Sequence, residues 1–186
     1  FFSHGVDSTE IFSKLKIAES TGYKKHLNTH DVIRIDFSRM PRNCNSYDQY
    51  IERIERILIQ DLMEAYPKAD IQEEDAVWDS LDLVYERYGC QRFIFVFDEW
   101  DCIFHKDFIT DEDKKKYISF LSSLLKDKAY VLLSYMTGIL PIAKYSSGSE
   151  LNMFAEYTMV SEEKFSDAFG FTEAEVDMLY ALFLKN

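Results

Sequence analysis

Phe93-Ile94-Phe95-Val96-Phe97-Asp98-Glu99-Trp100-Asp101 decides the fold. Its five leading apolar residues are too few for an ordinary helix and read as a strand buried on both faces. Two adjacent carboxylates follow directly. A central strand ending in Asp-Glu delivers acids to the C-terminal edge of a sheet, where open α/β folds bind ligands. This is the layout of a Walker B segment. There the first acid holds a magnesium ion and the second activates water against a nucleotide γ-phosphate.

Downstream, Ala129 to Tyr135 reads as another buried strand, ending in Met136-Thr137-Gly138. Upstream, Asp31-Val32-Ile33-Arg34-Ile35-Asp36-Phe37-Ser38 alternates as a strand does. Between them, Ser46 and Gln49 have the form of a capping box opening a helix that ends before Pro67. A further helix is predicted over about 73–88, with Gly89 as its left-handed stop. Thr110 and Asp113 cap another that runs through Lys126. Residues 8–20 read as a helix with Ile11, Phe12, Leu15 and Ile17 on its apolar side. Residues 141–155 read as a long loop, 156–160 as a last short strand, and 161–169 and 173–184 as two closing helices. Thr172 and Glu175 form a second capping box. Helices alternating with apolar strands imply an α/β fold, a mostly parallel sheet flanked by helices, in a single domain over 1–186.

The bulk numbers narrow the function. At 186 residues and 47% hydrophobic, the chain is long and apolar enough for a sizeable core. No apolar run approaches the roughly 20 residues of a membrane span, so no membrane partner is expected. A net charge of −12 argues against a broad nucleic-acid grip, which gains affinity by neutralising phosphates. Cys44, Cys90 and Cys102 are odd in number and without paired spacing, which points to a reducing, cytoplasmic compartment.

Phosphoryl transfer needs charge neutralisation and a well-placed nucleophile. Asp98 is the candidate magnesium holder, through a bound water, because magnesium prefers oxygen ligands and keeps several waters. Glu99 is the candidate base for the attacking water. Side-chain alternation would send these neighbours in different directions. Asp101 is a third carboxylate at the cofactor site, read as an orienting neighbour. Thr137 ends the next strand, where a hydroxyl can sense the γ-phosphate. Taken by itself, Thr137 reads better as a hydroxyl starting a turn before Gly138. The phosphate loop itself, Gly-x-x-x-x-Gly-Lys-Ser/Thr, does not occur, since no glycine here precedes a lysine. His26 and His30 read as loop residues and not as metal ligands, because no third ligand is suitably placed. A metal-dependent nuclease on Asp98, Glu99 and Asp101 finds no Asp/Glu-x-Lys strand motif to support it.

Taken together, the chain resembles the AAA-ATPase-like domain family of anaerobic gut bacteria, often followed by a PD-(D/E)XK nuclease-like domain. The resemblance runs through Phe12–Ala18, Tyr23–Asn28, Asp31–Phe37 and Val96–Asp101. Its most distinctive parts are Met136-Thr137-Gly138-Ile139-Leu140-Pro141-Ile142-Ala143-Lys144-Tyr145, Ser149–Phe154 and the block Phe165–Glu173. Trp100 stands where the family usually has Tyr. The resemblance implies a P-loop NTPase fold using ATP and Mg2+, with the Walker A strand, loop and helix expected upstream of Phe1. It then implies that residues 1–186 alone lack the loop and are inactive. A missing core strand would leave an exposed sheet edge, filled by a neighbouring chain such as a homo-oligomer partner, or rearranged. The expected partners are a nucleotide and a coupled nuclease-like domain or partner protein. The rival reading is a non-catalytic interaction module, suggested by the missing loop and by 15 Phe and 12 Tyr.

Overall fold

The computed structural model describes residues 1–142, 145, 150–158 and 170–184. These fall into two compact units, Phe1–Met153 and Phe154–Asn186. The first unit holds a three-stranded parallel sheet flanked by helices. Its strands are β1 (Asp31–Asp36), β2 (Phe93–Asp98) and β3 (Val131–Met136), in the order β1-β2-β3. The apolar run is therefore the middle strand.

Parallel register sets which side chains share a face. Arg34 lies opposite Val96 and Asp36 opposite Asp98, so Val32, Arg34 and Asp36 share a face with Ile94, Val96 and Asp98. On the other face Phe93, Phe95 and Phe97 are fully buried. Phe37, just past β1, meets Phe97 edge-on at 5.3 Å and Tyr117 at 5.7 Å. The Tyr50 hydroxyl donates to the Phe37 carbonyl at 2.6 Å. These contacts fix α3 (Tyr47–Ala65) and α5 (Asp111–Leu125) against the phenylalanine face. Burying several aromatic rings together contributes both area and edge-to-face attraction. Truncating one such ring to alanine costs about 3–5 kcal/mol.

The helix boundaries follow their local signals. The Thr110 hydroxyl accepts from Asp113 N, and the Asp113 carboxylate accepts from Thr110 N at 3.0 Å, a complete capping box. Ser46 accepts from Gln49 N, but the Gln49 side chain reaches Asn45 N and not Ser46 N. The helix α4 (Val77–Arg87) starts later than expected, because Asp75 instead accepts from Gln72 N and closes a turn. Gly89 has φ +68 and ends it as predicted.

Three expectations change. The helix over 8–20 is one short turn, α1 (Thr9–Phe12), and a 3-10 turn (Lys16–Glu19), with Ile11 65% exposed. The start is as expected, with Ser8 at the N-cap, but Leu15 takes an extended backbone (φ −103, ψ 157) that breaks the helix after one turn. The Ser8 hydroxyl donates to Asn28 Oδ1 at 2.7 Å, and Asn28 Nδ2 donates to Asp7 and Thr9. These bonds tie the short helix to the residues that follow α2 (Tyr23–His26). Second, β3 is not wholly buried: Leu133 and Tyr135 are each 47% exposed. Among the described residues no strand pairs with its outer side. Third, residues 156–158 form no strand, while 159–160 lie outside the described residues, as do 161–169 and hence most of the Phe165–Glu173 block.

In the second unit, the described helix is α6 (Glu173–Phe183), opened by the Thr172–Glu175 capping box. No helix among the described residues is long and apolar enough to cross a membrane.

Candidate functional site

The site forms where β2 and β3 end side by side. Thr137 N donates to the Phe97 carbonyl at 2.9 Å, and Trp100 N donates to the Thr137 carbonyl at 3.0 Å. Main chain therefore pins Thr137 between two residues of the β2 terminus. From there its hydroxyl donates to Asp98 Oδ1 at 2.6 Å. Asp98 closes β2 at the C-terminal rim, with its side chain 44% exposed. Its second oxygen, Oδ2, lies 3.6 Å from Nη2 of Arg34 on the neighbouring strand. Asp98 and Thr137, singled out from the sequence separately, are thus directly joined.

Glu99 is exposed and takes a left-handed backbone, φ +54. For a residue with a Cβ this conformation is disfavoured. Its effect is to end the strand abruptly, returning Trp100 to the interior while Glu99 stays at the rim. The two acids are separated by this reversal of the chain and not by continued alternation. The Glu99 carbonyl accepts from Cys102 N at 2.9 Å, closing the turn.

Asp101 is placed quite differently. It is 1% exposed. Its Oδ2 accepts from the backbone N–H groups of Ile139 (3.0 Å) and Leu140 (2.7 Å). Its Oδ1 is buried without a hydrogen-bond partner and faces Gly138. A Cβ on Gly138 would lie 2.5 Å from Asp101 Oδ1 and would also strike the Trp100 ring. Asp101 therefore clamps the loop that follows Thr137. That loop can approach so closely only because residue 138 has no side chain. Trp100 is held in turn, with its carbonyl accepting the Tyr117 hydroxyl at 2.7 Å and its ring meeting Phe104 edge-on at 5.4 Å.

The sequence reading missed Arg34 and the contact role of Gly138. Arg34 carried a signal, a charged residue inside an otherwise apolar strand, but its partner depends on the register of β1 against β2. The rim also includes Asp36, whose carboxyl is held below the usual range by the Ser38 hydroxyl and by Arg39. His26 and His30, read as loop residues and not as metal ligands, meet, Nδ1 to Nε2, at 2.9 Å, and His26 is the last residue of α2. They lie outside the site.

Among the described residues there is no group of three or more His, Cys, Asp or Glu side chains arranged to hold a metal. The donor set at the rim is the Asp98 carboxylate with the Thr137 hydroxyl beside it, and Asp36 and the exposed Glu99 nearby. That set suits a hydrated magnesium ion completed by substrate phosphates, the usual mode for this cation. Asp101 does not fit as a direct ligand, since it is buried and bonded to the loop. A separate groove of about 380 Å3 lies along β1 and α3, lined by Asp31, Val32, Asp61, Leu62 and Tyr66 among others. It reaches Arg34 but none of Asp98, Glu99, Asp101 or Thr137. The rim is the better candidate because Asp98 and Thr137 meet there, with Arg34 beside them.

A parallel sheet with an Asp-Glu rim and a hydroxyl on the adjoining strand defines the class: an α/β fold consistent with a P-loop NTPase-like core. Residues 1–147 match the family described as predicted AAA-ATPase, and the chain belongs to that family. No curated protein and no solved structure matches the chain.

Proposed function

We propose that this chain carries the Walker B half of an ATP-hydrolysing site. The observation that carries the reading is the 2.6 Å hydrogen bond from Thr137 to Asp98 at the ends of adjacent parallel strands. Asp98 faces the magnesium ion of a Mg·ATP complex. Glu99, at the exposed rim, orients and deprotonates the attacking water. Thr137 sets the angle of the Asp98 carboxylate and stands toward the γ-phosphate. Asp101 holds the backbone of 138–140 in place. When bound, magnesium supplies neutralisation of the phosphate oxygens.

The phosphate-binding loop that the reading needs is absent from residues 1–186. The reading places that loop on a strand beside β3, whose outer side is unpaired among the described residues. That strand belongs either to the same polypeptide or to a neighbouring copy. A coupled nuclease-like domain remains the partner suggested by the family resemblance. The test is ATP hydrolysis by the full-length protein. Glu99→Gln is expected to lower kcat by about a hundredfold or more, the usual range for losing a general base. Equal rates for the two proteins defeat the assignment.

A second reading, a non-catalytic interaction module, is favoured by the exposed apolar side chains of β3, Leu132, Leu133 and Tyr135. Equilibrium dialysis of the full-length protein with Mg·ATP separates the two. Saturable binding that is lost in Asp98→Ala supports the enzyme, and no binding supports the module.

A further inference from the structure

We propose that Arg34 is an electrostatic guard on Asp98, competing with divalent cations for its outer oxygen until nucleotide arrives. This rests on the reading of Asp98 as the cation holder and adds a regulation of that site. The register places the two residues together. Arg34 is opposite Val96 on β2, and Asp98 is the next residue of β2 on the same face. Diagonal cross-strand neighbours of this kind lie within reach of a long side chain. The guanidinium Nη2 is accordingly 3.6 Å from Asp98 Oδ2.

The other acid near Arg34 is already committed. Asp36 lies directly opposite Asp98, but its Oδ1 accepts from Ser38 and its Oδ2 from Arg39 Nε. Asp98 is the acid that Arg34 meets across the strands. Thr137 occupies Oδ1 of Asp98, so the oxygen that Arg34 faces is the one a cation would need. A divalent ion at Oδ2 would stand a few ångströms from a fixed positive charge. At this exposed rim, that repulsion lowers cation affinity by about tenfold, using a water-like dielectric. Added salt weakens it. A nucleotide carries its own phosphate charge, which offers the guanidinium another anionic partner. The carboxylate is then released to magnesium together with the nucleotide, and it does not collect free divalent ions beforehand.

The experiment uses the chain itself with Mn2+ alone as the probe, followed by water-proton relaxation. Arg34→Met is expected to bind Mn2+ about tenfold more tightly than wild type at low salt, with the gap shrinking as salt rises. Arg34→Lys, which keeps the charge, is expected to stay near wild type. Asp98→Asn is expected to abolish binding in either background. Equal Mn2+ affinity of wild type and Arg34→Met, with loss in Asp98→Asn, overturns the guard and leaves the cation reading standing. Binding that is indifferent to Asp98→Asn overturns the cation reading itself. An Arg34→Met protein that takes up no Mn2+ at millimolar concentration also overturns the guard. A readout without metal completes the test: a double-mutant cycle of Arg34→Met and Asp98→Asn in urea unfolding. A coupling of about two- to fivefold in the folding equilibrium is expected for an exposed pair. A coupling of zero overturns the guard without touching the cation reading.

Discussion

Asp101 Oδ2 accepts the backbone N–H of Leu140 at 2.7 Å, a bond between a buried acid and the loop that follows β3. The same oxygen also takes Ile139 N–H, so one carboxylate satisfies two successive donors. Removing it takes that partner from both. Asp101→Ala is expected to lower stability by about 2 kcal/mol, because two charge-assisted bonds are lost while water reaches the exposed Ile139 and takes over part of the bonding. Asp101→Asn is expected to cost less, since one oxygen still meets both N–H groups. Urea unfolding of the variants against wild type checks the ranking. An Asp101→Ala protein as stable as wild type would show that the clamp has no energetic weight.

Gly138 is the other half of that clamp. A methyl group there meets the Trp100 ring and Asp101 Oδ1, both themselves held by neighbours. Gly138→Ala is expected to cost about 1–3 kcal/mol, the range for overpacking a filled site. It should also disturb the near-ultraviolet circular dichroism of the buried tryptophan. The glycine is needed for contact and not for backbone freedom, since its φ is not among the positive ones.

These two residues show where sequence reasoning stops. The parallel sheet was legible because Phe93–Phe97 is dry on both sides and short, which leaves few other structures open to it. Capping boxes at Thr110 and Thr172 were legible because both partners lie three residues apart. The helix expected over 8–20 was legible only at its start, because the chain turns extended at Leu15, a residue type that gives no sign of a break. Within the site, Asp98 and Glu99 announced themselves as a pair at a strand end. Asp101 was read as an orienting neighbour, but its burial was not legible, since acids are usually exposed and only the fold of 137–140 covers this one. Arg34 needed the strand register.

The histidine pair sets a pH response on the N-terminal segment. Burial, and then the neighbouring His26, hold the His30 imidazole below its ordinary value, with Asp31 opposing and Lys25 adding to the shift. A depressed histidine is neutral in the folded chain while the unfolded chain already takes up a proton. Stability contributed by this group is therefore present above the ordinary value near 6.5 and falls as pH drops from there through the folded value. The loss lies above the range where the lowered carboxylates of Asp36 and Asp113 would respond, since those begin to fail only below 3.8. Unfolding free energy measured from neutral pH down to about pH 5 should fall more steeply in wild type than in His30→Asn. Parallel slopes would refute it.

Thr137 separates the site from its scaffold. Its N–H and carbonyl are bonded to Phe97 and Trp100, so replacing the side chain leaves the main chain anchored. Asp98 keeps access to water when the hydroxyl is gone, which limits the cost of an unpaired carboxylate oxygen. Thr137→Val, equal in shape, is therefore expected to cost at most about 1 kcal/mol in urea unfolding, less than Asp101→Ala. Thr137→Ser keeps the donor and should match wild type in both stability and function. In the full-length protein Thr137→Val is expected to lower ATP hydrolysis by about tenfold or more, because a few kilocalories of lost orientation at the transition state act on rate while leaving the fold intact. A Thr137→Val protein that hydrolyses ATP as wild type does would return this residue to the role of a turn-starting hydroxyl, and Asp98 would then be positioned by its strand alone.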